Sequence, residues 1–203
     1  MNIIENIINS LQFPFKNWVK MIILGIILVI PIVNFIGLGY YLRIIKTTLM
    51  GLDDLPDFED IVKLFIDGVK LLIVSIIYTI IPLIFYIFSF VFPGRIFLIM
   101  AIISTLIISI FAYMGVVNMV YHDIGIIAAV RYHEILGKIR VIGWIKYMLW
   151  WIALILIIIF VGSTISIAGG ILVYFILGFW ILLVGYSYLL IFQARSIALT
   201  FAN

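Results

Sequence analysis

The residues with the clearest capacity for chemistry lie in one polar stretch near the middle of the chain. Both histidines, His122 and His133, occur there, and each is followed by a carboxylate, Asp123 or Glu134. Imidazole and carboxylate groups bind divalent metals and also act as general acids and bases. We interpret the four as ordinary polar residues of a membrane interface, and a metal or acid–base site is the weaker alternative.

The rest of the sequence offers no catalytic or cofactor-binding signature. The motifs of zinc metalloproteases, serine hydrolases and P-loop nucleotide-binding proteins are missing, and the chain has no cysteine. No charged residue lies deep within an apolar run, where ion-coupled transporters commonly place Asp, Glu or Arg. We therefore predict no catalytic residue, no metal, no cofactor and no nucleic-acid partner, and we expect a protein that is not an enzyme.

Two asparagines within or beside apolar runs complete the set of candidates. Asn34 and Asn118 need hydrogen-bond partners in lipid, because an unpaired polar group there costs free energy. Together with His122 and Asp123 they are candidates for residues that line a pathway or stabilise the packing. The serines and threonines of the same runs, such as Thr105 and Ser109, are expected to bond to carbonyls of their own helices.

The elements that position these residues are predicted to be membrane helices. Of 203 residues, 67% are hydrophobic and 10% are charged, whereas a soluble domain has about 45–50% apolar and about 25% charged residues. This composition predicts an all-α, polytopic membrane protein that forms a single domain over residues 1–203. Five apolar runs are near the length of about twenty residues that a span needs: 21–42, 71–92, 96–120, 147–165 and 171–192.

The first run, within residues 21–46, is either a full span or a broken hairpin. Pro31 disrupts a helix and Asn34 favours a turn. If all five runs span, nine of the 12 basic residues lie on one face; if the first run turns back, the other eleven lie opposite Arg95 alone. Cytoplasmic loops are rich in Lys and Arg, which favours three hairpins, with turns at 31–34, 93–95 and 166–170. Five full spans are the alternative.

Three segments outside the runs have the pattern of amphipathic helices. Residues 1–20 place isoleucines opposite Glu5, Asn6 and Asn9, and residues 53–70 begin with an acidic stretch at Pro56. Residues 121–146 are basic and suit anionic lipid headgroups. Helix pairs are expected over 71–120 and 147–192. We predict that the acidic and basic segments dock together beneath the membrane; independent helices on the lipid surface are the alternative.

The order of these features resembles a known family. The resemblance rests on an aromatic-proline-aromatic stretch before Trp18, then "IPIVNFIGLGY" (30–40), Leu55-Pro56-Asp57 and "FIDGVK" (65–70). These residues resemble the domain of unknown function 4013 family, small polytopic membrane proteins that are mostly prokaryotic. The resemblance is strongest over the first eighty residues or so. It implies a membrane fold and carries over no functional residue.

The sequence indicates where the protein is located more clearly than it indicates what the protein does. The leading hypothesis is a non-enzymatic scaffold or partner-binding module, which contacts the lipid bilayer and either another membrane protein or a second copy of itself. The alternative is a passive transporter or channel for a small or lipid-like solute. We predict a multi-pass protein of the cell membrane with both termini in the cytoplasm; an N-terminus outside is the alternative.

Overall fold

The computed structural model describes residues 2–92, 95–172 and 176–202, and helices dominate these residues. They are α1 (Ile3–Gln12), α2 (Trp18–Val29), α3 (Asn34–Leu49), α4 (Ile61–Val91), α5 (Ile96–Tyr121), α6 (Tyr132–Ile142), α7 (Trp144–Ile171) and α8 (Ile176–Ala202). Two 3₁₀ turns cover Phe13–Lys16 and Ile126–Val130. No strand occurs among the described residues, and the prediction of an all-α fold is confirmed.

Four helices are long and apolar enough to cross a membrane. Helices α4, α5, α7 and α8 have 31, 26, 28 and 27 residues, and about twenty suffice for a span. Helix α4 packs on α5 and α7 packs on α8, which gives two of the three expected hairpins. The turn predicted at 93–95 falls between α4 and α5; Pro93 and Gly94 lie outside the described residues.

The break predicted at Ser166 to Gly170 is wrong. Helix α7 continues through these residues and ends at Ile171. A Cβ atom added to Gly169 would lie 2.5 Å from the Leu182 side chain of α8, so this glycine permits close packing of the two helices. Within lipid no water replaces a broken backbone hydrogen bond, and glycine therefore ends a membrane helix less readily than a soluble one.

The first apolar run turns back, as the hairpin alternative predicts. Helix α2 ends at Val29, Ile32 takes a left-handed conformation with φ of 70°, and α3 begins at Asn34. Lys20 near the start of α2 donates to the carbonyl of Leu55, 2.6 Å away. Near the end of α3, Arg43 donates to the carbonyl of Glu59 over 2.5 Å. Both ends of the hairpin therefore bind one short segment of the chain.

The hairpin is too short to cross a bilayer. The 12 residues of α2 rise about 18 Å at 1.5 Å per residue, against a hydrocarbon thickness of about 30 Å. Its preceding segment, Ile3–Lys16, is bent by 86° from α2 and does not extend it as a straight rod. The bundle thus has four long helices and one re-entrant hairpin.

Helices α3 and α4 approach each other through two glycines. A Cβ atom on Gly39 would lie 1.8 Å from the carbonyl oxygen of Leu64, and one on Gly68 would lie 1.8 Å from that of Phe35. Any side chain at either position would separate the helices. Gly68 therefore serves close packing within an unbroken helix.

The acidic segment becomes helical later than predicted. Helix α4 starts at Ile61, where Asp60 has a φ of 52° and its side chain accepts from the Lys63 amide. Residues 53–60 stay non-helical because side chains of the hairpin bind their carbonyl groups; Tyr40, for example, donates to the carbonyl of Pro56 over 2.8 Å. From Ile61 the helix runs directly into the second apolar run, as expected.

The N-terminal helix packs on the bundle through polar and apolar residues together. Asn6 and Ser10 of α1 are buried, and Ile3 and Ile7 pack against the core. The Asn6 amide donates to the hydroxyl of Thr200 over 2.9 Å, and the Ser196 hydroxyl donates to the Asn6 oxygen over 2.9 Å. Asn6 thus pairs the buried polar groups of α8, which require partners.

The basic segment forms α6 and packs through isoleucines. Ile135 and Ile139 are buried as expected, whereas Ile127 is 73% exposed. The acidic loop, residues 43–70, meets the basic segment through an ion pair between Lys46 and Asp123 at 3.1 Å. Among the described residues no ion pair joins the acids of residues 53–60 to residues 121–146, so docking through those acids stays a prediction.

Candidate functional site

The predicted polar residues near the end of α5 form a clamp around one carboxylate. One Glu134 oxygen lies 2.9 Å from the Asn118 amide and 3.0 Å from Nε2 of His122. The other accepts from Arg131 over 3.1 Å. The Asn118 hydrogen bond, supported by Arg131 and His122, holds the pKa of Glu134 below its ordinary value. The clamp ties α6 to the end of α5.

The remaining residues of this stretch do not complete a metal site. The side chain of Asp123 is 93% exposed and pairs with Lys46, and His133 is exposed on α6. Within the described parts of the chain, no three His, Cys, Asp or Glu side chains are grouped so that they could hold a metal ion. What the stretch assembles is the hydrogen-bonded pair of His122 and Glu134.

The two candidate asparagines are far from equivalent. Asn118 is buried, and its amide donates both to Glu134 and to the carbonyl of Ala128, the latter over 2.8 Å. Asn34 begins α3 at the tip of the hairpin, and its side-chain oxygen is buried without a hydrogen-bond partner. Neither residue lines the cavity described below, so the structure does not join them in one pathway.

A buried arginine, which no sequence pattern singles out, organises one end of the bundle. Arg195 of α8 is 5% exposed. Its guanidinium donates to the carbonyl of Leu52 over 2.8 Å, to Asp53 over 2.6 Å and to the Thr48 hydroxyl over 3.2 Å. It also donates to Asn9 of α1 over 3.0 Å.

Arg195 has a hydrophobic partner as well. Its guanidinium lies 4.4 Å from the ring centre of Phe13, a cation–π contact. Lys16 binds the same Asp53 carboxylate. The Lys16 hydrogen bond, with the charges of Lys16 and Arg195, lowers the pKa of Asp53. We call this end of the bundle, where Lys16, Lys20, Arg43 and Arg195 bind residues 52–59, the basic end.

A cavity of about 650 Å³ lies between the two long hairpins. Five helices line it, namely α3 (Leu38 and Tyr41), α4 (within 71–82), α5 (within 105–116), α7 (within 158–166) and α8 (within 186–193). Several lining residues, including Thr79, Thr105 and Ser166, are exposed on the surface of the bundle. The cavity therefore opens within the apolar part of the long helices, towards lipid.

The lining is mostly apolar and carries hydroxyl groups but no charge. Ser75 and Ser109 each donate to a carbonyl of their own helix over 2.8 Å, as predicted for hydroxyls in membrane helices, so they offer acceptor lone pairs to the cavity. Ser166 donates to the carbonyl of Gly162 and therefore accepts from Tyr186, 2.9 Å away. No Asp, Glu, Lys, Arg or His is among the described lining residues.

A sequence signal for this cavity existed in the spacing of hydroxyl residues. Ser75 and Thr79 are four residues apart on α4, and Thr105 and Ser109 are four apart on α5, so each pair forms a stripe on one helix face. Each residue alone is explained by a bond to its own helix. Only the structure brings the stripes onto opposite sides of one space.

Comparisons with known proteins identify the family. No curated protein and no solved structure matches the chain. A family model described as a protein of unknown function, DUF4013, matches residues 23–173. This range includes the hairpin, the acidic segment and the first long helix pair, and it reaches well beyond the first eighty residues. Since the match covers about three quarters of the chain, the protein belongs to the DUF4013 family.

Proposed function

We propose that this protein binds an uncharged, lipid-like molecule in the cavity between its long hairpins, without catalysing a reaction. The observation that supports the proposal is the cavity itself, with its volume of about 650 Å³. Small-molecule sites have volumes of about 300–1,000 Å³ and are mostly apolar with a few polar groups. Because the cavity opens towards lipid, molecules dissolved in the bilayer have the most direct access.

The lining argues for binding without chemistry. General acid–base catalysis most often uses His, Asp, Glu or Lys, and none of these is among the described lining residues. The titratable groups that the lining does supply are tyrosine phenols, which stay protonated at neutral pH. A charged ligand group would also lack a counter-ion there, which is costly in an apolar medium. An uncharged occupant avoids both difficulties. Passive movement of the occupant along the cavity is an extension of this proposal.

Partner binding, the leading hypothesis from the sequence, is the second candidate. A surface at the junction of α6 and α7 supports it, because Val141 and Ile145 are 75% and 78% exposed beside the exposed side chains of Arg140 and Lys146. The partner that this surface would bind is another membrane protein or a second copy of the chain. Anionic lipid headgroups, which also suit apolar and basic residues together, compete for the same surface.

For location, we propose a cell-membrane protein with both termini in the cytoplasm. The hairpin places Lys16 and Lys20 at the basic end with Arg43 and Arg195. Of the 12 basic residues, Arg95 alone is next to the turn at the opposite end of α4 and α5. Loops rich in Lys and Arg are retained in the cytoplasm, which supports this orientation.

The cavity proposal is tested by photolabelling the purified protein in lipid nanodiscs. The probe is a long-chain fatty alcohol that carries a diazirine in its chain. We expect labelled peptides from the cavity faces of α4 and α5, and we expect excess unlabelled alcohol to abolish the labelling. Uniform labelling of every lipid-facing helix, unaffected by competitor, contradicts the proposal.

Two glycines of α7 provide a matched pair of variants. A Cβ atom at Gly162 meets only Leu189, at 3.6 Å, so Gly162→Phe can direct its ring into the cavity. Gly170 is exposed with open space around it, and Gly170→Phe adds the same bulk elsewhere. We expect Gly162→Phe to lose the competable labelling and Gly170→Phe to retain it. Equal labelling of both variants overturns the cavity proposal.

A further inference from the structure

One hydroxyl in the cavity wall has no hydrogen-bond partner among the described residues. The side chain of Tyr41 is only 8% exposed and lines the cavity. Other tyrosines in the bundle are paired: Tyr78 donates to the carbonyl of Ala129 over 2.5 Å, and Tyr188 donates to that of Leu11 over 2.9 Å. For Tyr41 the described residues offer no such acceptor. The hydroxyl is open to the cavity rather than sealed in the protein. Since an unpaired polar group in an apolar medium costs free energy, it favours a ligand that accepts a hydrogen bond.

Two further polar side chains line the same cavity as Tyr41. They are Tyr113 of α5 and Gln193 of α8. Polar groups from α3, α5 and α8 thus converge on one region of the wall.

This region lies towards one end of the cavity. Tyr41 and Gln193 are the last lining residues of α3 and α8, and Gln193 is two residues before Arg195 at the basic end. Pro82 of α4 and Tyr186 of α8 line the cavity farther from the basic end. The serine and threonine hydroxyls between the two ends already donate to backbone carbonyls, so Tyr41 is a free donor at this end.

We propose that the ligand is a single-chain amphiphile with one neutral polar end, such as a hydroxyl or ester, which accepts a hydrogen bond from Tyr41. Tyr113 and Gln193 lie beside that end, and the apolar chain extends towards Pro82 and Tyr186. A carboxylate or phosphate is excluded from this position because the described lining has no cation to neutralise it. This inference rests on the proposed function and names the chemical class of its ligand.

The test is competition against the diazirine-bearing alcohol in nanodiscs. Three competitors share a similar chain: 1-monoolein has a neutral polar end, oleate at alkaline pH has a charged end, and 1-octadecene has no polar end. We expect 1-monoolein to compete best. Tyr41→Phe removes one hydroxyl. It should raise the concentration of 1-monoolein needed for half-maximal competition about 3- to 10-fold, the usual range for one hydrogen bond, and leave that of 1-octadecene unchanged.

Controls separate this inference from the cavity proposal. Tyr132→Phe removes a hydroxyl from the exposed α6 surface and should change no competitor. Equal binding of 1-monoolein to wild type and Tyr41→Phe overturns the role of Tyr41, while loss of labelling in Gly162→Phe would still support the cavity. If oleate competes as well as 1-monoolein, the proposal that the ligand's polar end is neutral is wrong. Absence of competable labelling in the wild type overturns the cavity proposal itself.

Discussion

Replacing Arg195 by methionine should destabilise the whole basic end of the bundle. Methionine has a similar length and no charge, so the change removes the hydrogen bonds of the guanidinium and its contact with Phe13 while it keeps most of the packing. Four elements meet at this side chain: α1, α3, the segment after α3, and α8. Their mutual packing depends on one residue.

The expected loss follows from the exposure of each partner. Asp53 has a side chain that is 61% exposed, so water can replace its bond, and such pairs contribute about 0–1 kcal/mol. Thr48 is buried, and an unpaired buried group costs about 1–3 kcal/mol. The cation–π contact adds about 0.5–2 kcal/mol. Relief of the desolvation of a buried charge offsets part of the sum, which leaves about 2–3 kcal/mol.

Thermal unfolding in a mild detergent, followed by tryptophan fluorescence, measures this loss. Trp150 is fully buried and donates to Ser196, the residue after Arg195, so its emission reports on this region. At about 2–4 °C per kcal/mol for a chain of this size, Tm should fall by about 4–12 °C. The Tm of Arg195→Lys should fall by less, because the lysine ammonium keeps the charge although it lacks the planar, multi-donor guanidinium.

The matched control is Arg140→Met, which removes an exposed arginine from α6. It should leave Tm within about 1 °C, as surface substitutions usually do. If Arg195→Met and Arg140→Met lower Tm equally, or neither lowers it, the buried guanidinium does not hold the four elements together, and the argument from its hydrogen bonds is wrong.

Three other predictions follow from the packing, the clamp and the topology. Gly68→Ala should lose at least about 1–3 kcal/mol of stability by overpacking, seen as a lower Tm, whereas Gly137→Ala has open space around it and should not. The pKa of Glu134 is lowered on folding from its ordinary 4.5. The stability that this carboxylate contributes is therefore present above pH 4.5 and is lost as the pH falls through the lowered pKa. In Glu134→Gln, Tm should decrease less than in the wild type when the pH is lowered through this range. Single cysteines at Asn2 and Asp54 should both react with an impermeant maleimide only from the cytoplasmic side, and labelling of Asn2 from outside would contradict the proposed orientation.

The hairpin was predictable because its signals are local or additive. Pro31 breaks the helix at its own position in the chain. The positive-inside rule needs only a count of Lys and Arg in each loop, and that count does not depend on which residues are in contact. The bonds of hydroxyl groups to their own helices and the need of Asn118 for partners were equally accessible. The unpaired oxygen of Asn34 and the start of α4 at Ile61, ten residues before the apolar run 71–92, were not. Where glycine was taken as a break, within 166–170, it serves close helix approach, and one sequence does not separate these uses.

The arrangement of the basic end was not predictable, because it depends on contacts between distant segments. Asn6 of α1 bonds with Ser196 and Thr200 from the other end of the chain, and no local pattern indicates that pairing. Residues 56–60 had the composition of a helix start, yet Tyr40 and Arg43 bind their carbonyl groups. Arg195 followed an apolar run as any flanking residue does, and nothing in its neighbours distinguishes it from Arg140.

The cavity is explained by the shortness of the hairpin that the sequence did predict. Helix α3 packs on α4 at Leu64 and Gly68, and α3 begins at Asn34, one residue before the Phe35 that contacts Gly68. The lining residues of α4 start at Leu71, about one turn beyond that contact. A full-length α3 would continue along this face of α4 and occupy the space. Because the chain turns back at Pro31, the next turns of α4 have no such neighbour, and α5, α7 and α8 enclose the space that remains.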